Sequence, residues 1–427
     1  MKKTGLNICI VGAGSSYTPE LIAGLITQAR GGLAVAQVRL VDVDARRLGI
    51  MAGLAQRMLT RAGCSVMLRS GLELEAMLSG ADFVITQIRV GGMKSRYIDE
   101  SVPLKYGLIG QETTGPGGMF KALRTIGPMI EIARNVERVC PNAFILNYTN
   151  PSGIITEAVC RHSGARIIGL CSGMPGIQED LARRLAGTYP DLRTYCAGLN
   201  HLGFVHKFIA GGREVSAAAM AELIAQMRAE SSENSLDWAG MLEALGAWPI
   251  AYIHYYLHRR RMVEHAQAAP RTRAQDIEEI ERQVFEQAAD PSCSDKPDAL
   301  KRRGGGGYAN ITFEAMRAIV DNSGAELTVS TPNRGAVEGT EPDAVVEVTC
   351  RVGAAGATPL PVGPLPAAWR GLVLAVKAYE TLTVEAAVTR SRMTAIRALV
   401  NHPLAGDLNA ATKVVDEMLA AHGLAYL

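Results

Sequence analysis

No apolar run in this sequence approaches the roughly 20 residues that a membrane-spanning helix needs. A dominant charge is missing too. The 44 Lys and Arg residues stand against 42 Asp and Glu, for a formal net charge of +2. Such a balance creates no field that would draw nucleic acid or an anionic membrane surface, so neither is expected as a partner. Two short basic clusters, Arg259-Arg260-Arg261 and Lys301-Arg302-Arg303, read as solvated surface or a local anion site. The eight cysteines follow no repeated spacing, which argues against a disulfide scaffold and for reduced thiols in a cytoplasmic enzyme. No internal repeat is visible. Lys2 and Lys3 precede an apolar run, as in a leader, but the run is short and ends at Tyr17-Thr18-Pro19-Glu20, so no targeting segment is expected.

What is present begins with Ile8-Cys9-Ile10-Val11-Gly12-Ala13-Gly14-Ser15-Ser16-Tyr17-Thr18-Pro19. Four apolar residues run into Gly-x-Gly, and Leu21, Ile22, Leu25 and Ile26 then recur at helical spacing. A buried strand, a tight turn and a helix N-terminus make a phosphate cradle, because the free N–H groups and the positive end of the helix hold an anion. The third glycine of the usual fingerprint is absent, and Tyr17 stands in its place. Val38-Arg39-Leu40-Val41-Asp42 supplies a second strand that ends in a carboxylate, in the range expected for an acid that binds the adenosine ribose. Gly12, Gly14, Ser15, Ser16, Tyr17 and Asp42 are therefore the cofactor-binding candidates. The alternative is a turn glycine pair in some other α/β protein.

Strand and helix patterns alternate through the first half. A helix is expected from about Asp44 to Ala62, and another over Ala122–Val139. Strands are expected at Val66–Leu68, Ala81–Gln87, Ala143–Asn147 and Arg166–Leu170. Strands separated by helices imply a mainly parallel sheet, whose ligands sit off the carboxyl ends of the strands. Those exits are Gly12–Pro19, Ile88–Gly92, Asn147–Pro151 and Cys171–Gly173. Beyond Thr194 the character changes. Tyr195–Ile209 is strand-like and interrupted by Asn200-His201, Ser216–Ala289 is helical and charged, Gly304–Gly307 is a glycine run, Val345–Cys350 alternates as a strand, and Pro366–Val400 is a long helical stretch. With 427 residues, 48 % of them hydrophobic, the chain can fill two cores. The expected fold is α/β: a Rossmann-like parallel sheet of the lactate/malate dehydrogenase kind in residues 1–194, and an α+β domain in 195–427 for substrate, metal and oligomer contacts.

Several long motifs in order resemble the family 4 glycoside hydrolases, the NAD- and metal-dependent group, and within them the 6-phospho-β-glucosidases. They are Gly12–Pro19, Gln87-Ile88-Arg89-Val90-Gly91-Gly92, Pro103–Gly118 with its Gln111-Glu112-Thr113-Thr114-Gly115 core, Asn147-Tyr148-Thr149-Asn150-Pro151, Gly169-Leu170-Cys171, Gly198-Leu199-Asn200-His201 and Tyr252-Ile253-His254-Tyr255-Tyr256. The resemblance runs through nearly the whole chain. It implies NAD and Mn²⁺, or another divalent metal, as cofactors. A phosphorylated disaccharide or glucoside would be the substrate, and the assembly a homodimer or homotetramer.

The reaction so implied is a redox-assisted elimination. The sugar is oxidised at C3, a base removes the C2 proton, the glycosidic oxygen leaves C1, water adds, and C3 is reduced again. The ketone is the reason for the detour: each pKa unit is worth about 1.4 kcal/mol, so acidifying C2 by ~10 units removes on the order of 14 kcal/mol. Cys171 and His201 match the family's metal ligands. In isolation the pair would pass for core residues, and a soft thiolate suits Zn²⁺ or Fe²⁺ as well as Mn²⁺. Tyr252 matches the base, with Tyr255 and Tyr256 as alternatives at helical spacing. Its ordinary pKa near ~10 needs nearby positive charge to act at neutral pH, which the metal and Arg273 would supply. Arg89 and Arg273 match residues that grip the substrate, with the 6-phosphate as the anion suited to a planar guanidinium. Asn150 matches a ligand of a sugar hydroxyl, or forms an Asx-type turn before Pro151. Glu112 is a further substrate-binding candidate.

One position departs from the pattern. After the metal cysteine, β-specific relatives carry Asn and α-specific ones carry Asp as the acid for the leaving group. Here the residue is Ser172, a poor acid held as a candidate catalytic position. The missing Asp and the Glu112–Pro116 and Gly198–Leu202 runs favour the β type. An α-specific or non-phosphorylated glycosidase of the same family is one alternative. A plain NAD-dependent 2-hydroxyacid dehydrogenase is another, and so is a non-catalytic NAD sensor, against which Cys171, His201 and Tyr252 speak.

Overall fold

A computed structural model describes residues 5–232, 236–304 and 306–426. Lys2, Lys3 and Gly305 of the glycine run lie outside them. The first half supplies β1 (Leu6–Val11), β2 (Val35–Val41), β3 (Met67–Gly71), β4 (Phe83–Thr86), β5 (Phe144–Asn147) and β6 (Arg166–Gly169). All their pairings are parallel, in the order β3-β2-β1-β4-β5-β6. The order reverses beside β1, and a crevice opens there at the carboxyl ends, where this topology binds dinucleotides. The inner strands read as unbroken apolar runs because helices cover both faces. Ile8, Cys9, Val84, Ile85, Ile145 and Leu146 are fully buried.

The helices start where side chains satisfy their free N–H groups. Asp44 accepts from the Arg47 N–H at 2.9 Å and opens the helix Ala45–Arg61. Thr272 and Gln275 form a reciprocal capping box at the start of the helix Arg273–Ala289. That helix packs on the first half and delivers Glu281 to the glycine-rich turn: Ser16 Oγ donates to Glu281 Oε1 at 3.0 Å.

A second, smaller sheet holds β7 (Arg193–Leu199), β8 (Leu202–Ala210), β9 (Arg213–Glu214) and β10 (Trp248–Pro249). β7 and β8 are an antiparallel hairpin whose turn is Asn200-His201, with Leu199 opposite Leu202. This is the interruption legible in the sequence. A separate core of Phe208, Leu223, Leu242 and Trp248 lies between this sheet and the helices Ser216–Glu230 and Trp238–Leu245.

Three strands of the second half do something the periodicity did not reveal. β11 (Ala325–Pro332), β12 (Val345–Gly353) and β13 (Gly356–Pro359) pair antiparallel and extend the large sheet beyond β6. Among the described residues that sheet has nine strands. The stretch Pro366–Val400 is also two helices, Ala367–Thr389 and Arg392–Asn401, broken at Arg390, whose φ of 52° ends the first. No described helix is long and apolar enough to cross a membrane.

Candidate active site

The crevice is a cavity of about 730 Å³ at the strand exits. Gly12, Gly14, Ser15 and Tyr17 line it, with Asp42 and Arg47 beside the turn, and Arg89 and Asn150 line it as well. The turn admits glycine alone at its tightest points. Gly12 has φ 84°, and a Cβ there would stand 2.9 Å from the Gln87 carbonyl oxygen. A Cβ on Gly14 would stand 2.9 Å from Asp42 Oδ2. Asp42 accepts from the Gly14 N–H at 2.7 Å and from the Asp44 N–H at 2.9 Å, so it fixes the turn while lining the cavity. Ser15 faces the cavity, whereas the Ser16 hydroxyl is spent on Glu281. A cavity of this size, with a glycine turn, a helix start and a carboxylate at the end of β2, fits a dinucleotide.

Positive charge gathers around Glu112. Glu112 accepts from Arg89 at 2.5 Å, Lys121 at 2.8 Å and pairs with Arg96 at 3.0 Å. Burial alone would raise its carboxyl. Arg89, Lys121 and Arg96 instead hold it well below the usual range. Burial and the Arg89 charge push Lys121 down to about 8 against the pull of Glu112. Arg89 and Lys121 line the cavity, and Glu112 stands behind them as their counter-charge. Asn150 lines it too. Its Nδ2 donates to the Tyr148 carbonyl at 3.2 Å, in place of an Asx turn. Arg273 is exposed at the first turn of its helix, with Nη2 donating to the Arg303 carbonyl at 3.2 Å, and is not part of the cavity lining.

Cys171, His201 and Tyr252 come together beside this charge. Cys171 leaves the end of β6, and His201 caps the β7–β8 hairpin with φ 65°, a left-handed conformation uncommon for a residue with a side chain. Its ring lies flat on Tyr252, centroids 4.4 Å apart and planes 8° from parallel. Tyr255 meets Tyr252 edge-on at 5.9 Å, while the Tyr256 hydroxyl is bonded to Thr114 Oγ1 at 2.9 Å. Burial, aided by the Lys121 charge, pushes His201 down to about 4, so its ring is neutral at pH 7. Burial, with the nearby Glu347 charge, pushes the Cys171 thiol up to about 12. Burial also raises the Tyr252 phenol, against a hydrogen bond with Thr113. His201 Nδ1 is buried without a hydrogen-bond partner. Among the described residues no group of three or more His, Cys, Asp or Glu side chains is arranged to hold a metal ion. A neutral imidazole with an orphaned nitrogen and a buried thiol fit two ligands of a cation whose remaining positions stay open to substrate oxygens. Ser172 starts the helix Gly173–Arg184 and makes no capping hydrogen bond with its side chain.

Several residues of the site escaped sequence reasoning. Arg303 is the member of the Lys301-Arg302-Arg303 cluster that turns inward. It bonds Glu281 at 2.6 Å and stacks on the Tyr17 ring at 4.0 Å. Lys121 stands three residues after the glycine motif and just before the helix expected from Ala122, and nothing in the sequence marked it. Asn200 precedes His201 and bonds Glu347 Oε2 at 2.9 Å. Glu347 itself stands as a charge within Ala344-Val345-Val346-Glu347-Val348, in the strand expected from the alternation of Val345–Cys350. Burial raises it to about 7, although Asn200 and Ser330 hydrogen bonds oppose the shift.

Comparison with known proteins gives a consistent picture. The sequence model described as "Family 4 glycosyl hydrolase" matches residues 7–186, and that of the family's C-terminal domain matches residues 196–405. A Bacillus subtilis (strain 168) protein described as "Probable 6-phospho-beta-glucosidase" is 38 % identical over 98 % of this chain and 96 % of its own length. Among solved structures, a Thermotoga maritima 6-phospho-beta glucosidase with NAD and glucose-6-phosphate superposes with a TM-score of 0.89 at 31 % identity, over 99 % of this chain and 100 % of that one. A 6-phospho-alpha-glucosidase from gut microorganisms, in complex with NAD and Mn²⁺, has a TM-score of 0.88 at 27 % identity, over 99 % of each chain.

Proposed function

Since this chain belongs to family 4 of the glycosyl hydrolases, we propose that it hydrolyses 6-phospho-β-glucosides with NAD and Mn²⁺, or another divalent metal, as cofactors. The observation that carries this reading is the neutral His201 ring stacked on Tyr252, with Cys171 near them and the His201 ring within reach of the Lys121 charge, which lines the cavity that holds the glycine-rich turn. When bound, NAD supplies reversible oxidation at C3 of the sugar, and the metal supplies polarisation of the sugar oxygens.

The chain's own residues do the rest. Gly12, Gly14 and Ser15 hold the cofactor's phosphates, Tyr17 packs beside them, and Asp42 takes the ribose. Ser16 supports the turn through Glu281. Cys171 and His201 hold the metal. Tyr252 removes the proton from C2 and the Thr113 hydroxyl steadies the phenolate. Arg89, with Lys121 at its side, grips the 6-phosphate, Asn150 orders a sugar hydroxyl, and Arg273, resting on the Arg303 carbonyl, adds positive charge from outside the cavity. Glu112 keeps Arg89 and Lys121 charged and aimed. No carboxylate follows Cys171, so the acid that an α-specific leaving group needs is missing at Ser172, and the β anomer is preferred. By role, residues 1–194 bind NAD and 195–427 bring His201, Tyr252 and Arg273. The eight cysteines are all free, as a cytoplasmic location requires. A homodimer or homotetramer is the expected assembly, which analytical ultracentrifugation counts.

The test is p-nitrophenyl β-glucoside 6-phosphate with NAD, Mn²⁺ and reductant in deuterated water. Nitrophenol release with deuterium at C2 and no accumulating NADH is expected. Steady NADH formation from a 2-hydroxy acid would make the protein a dehydrogenase instead, and turnover of the α-linked substrate alone would reverse the anomeric assignment.

A further inference from the structure

Behind the candidate metal ligands sits a buried carboxylate that the chemistry above does not use. Glu347 lies on β12 opposite Ser330 of β11 and is 2 % exposed. Its Oε2 accepts from Asn200 Nδ2 at 2.9 Å and from Ser330 Oγ at 3.3 Å. The Asn200 side chain also lies close to the Cys171 thiol and draws its pKa down against burial. Asn200 is itself the first turn residue of the β7–β8 hairpin, and His201 is the second. One amide therefore ties β12 to the hairpin that carries the imidazole, beside the strand exit that carries the thiol. Asn200 Oδ1 and Glu347 Oε1 are both buried with no hydrogen-bond partner.

A buried ionisable group is expensive to keep, and a neutral acceptor would serve a purely structural role. Ligands are commonly oriented by partners one shell further out, often a carboxylate, and losing such a partner typically weakens metal affinity 10–100-fold. We infer that Glu347 is a positioning residue of the metal centre, acting through Asn200 to fix the hairpin that presents His201 beside Cys171. The inference rests on the reading of Cys171 and His201 as ligands.

Calorimetry on the full chain without substrate tests it, with Mn²⁺ and NAD titrated separately into wild type, Glu347→Ala and Glu347→Gln. Loss of the acceptor in Glu347→Ala should weaken Mn²⁺ about tenfold or more, with NAD affinity within about twofold of wild type. Glu347→Gln keeps an oxygen for Asn200 Nδ2 and should recover most of the loss. With Co²⁺ as the probe, the thiolate-to-metal charge-transfer band should shift in Glu347→Ala and return in Glu347→Gln. If Glu347→Ala fails to fold, Asn200→Ala cuts the same link and should show the same selective loss. Unchanged Mn²⁺ affinity, or a parallel loss of Mn²⁺ and NAD binding, overturns the inference. A wild-type chain that binds NAD but no Mn²⁺ instead overturns the assignment of Cys171 and His201, and the inference falls with it.

Discussion

The His201 imidazole and the Tyr252 phenol ring are stacked, 4.4 Å between centroids and 8° from parallel. The stack holds the phenol oxygen by its ring, so the hydroxyl can be removed without disturbing the packing. Tyr252→Phe should therefore keep thermal stability and Mn²⁺ affinity while kcat falls about 10³-fold, the scale of a lost general base. Solvent deuterium entering C2 should slow in step. A Tyr252→Phe enzyme that exchanges C2 at the wild-type rate would move the base to Tyr255.

Glu112 is the shared counter-charge of Arg89, Arg96 and Lys121 in a largely buried cluster. Removing one partner of a buried ion pair leaves uncompensated charge and costs about 3–5 kcal/mol. Glu112→Gln should lower the urea midpoint accordingly, and inorganic phosphate should restore more stability to the variant than it adds to wild type. Arg89→Ala should instead leave stability nearly intact and raise KM for the phosphorylated substrate.

Metal binding should be a proton-releasing reaction. The Cys171 thiol is pushed up to about 12 and stays protonated below that pH, while His201, pushed down to about 4, is already neutral. Between about pH 6 and 9, one proton leaves per Mn²⁺ bound, from Cys171, and affinity should rise about tenfold per pH unit. Calorimetry in two buffers of different ionisation enthalpy counts that proton.

Glu347 should destabilise the metal-free protein at alkaline pH. Its folded pKa is raised from 4.5 to about 7. Within that window the folded state binds more protons than the unfolded one, so stability falls as pH rises and the loss is complete above about pH 7. At about 1.4 kcal/mol per unit, the penalty is on the order of 3 kcal/mol. Glu347→Gln should be more stable than wild type by up to that amount at pH 8. The difference should fade below about pH 4.5, as paired urea titrations would show.

Legibility followed chain locality. β1, β4, β5 and β6 were visible because strands covered on both faces are continuous apolar runs, and their exits led to Gly12, Arg89, Asn150 and Cys171. β11 was hidden because Ala325-Glu326-Leu327-Thr328-Val329-Ser330 mixes polar residues into a strand whose neighbours, not its own pattern, decide its place. Glu281 reaches Ser16 from 265 positions away, and such a contact leaves no periodic trace. Arg273 illustrates the converse: motif position assigns it to the substrate, while its side chain rests on the Arg303 carbonyl outside the cavity.

The continuation of β6 into β11, with Ser330 opposite Gly169, has a mechanical meaning. One ladder runs from β3 to β13, so the first half and β11–β13 of the second share a single sheet, while His201 and Tyr252 stand on the smaller sheet and the short helix beyond it. A hinge between the first half and β11–β13 would have to break that ladder. Residues 1–194 expressed alone would leave β6 as a bare edge. Such a fragment should aggregate, and adding residues 195–427 in trans should rescue it.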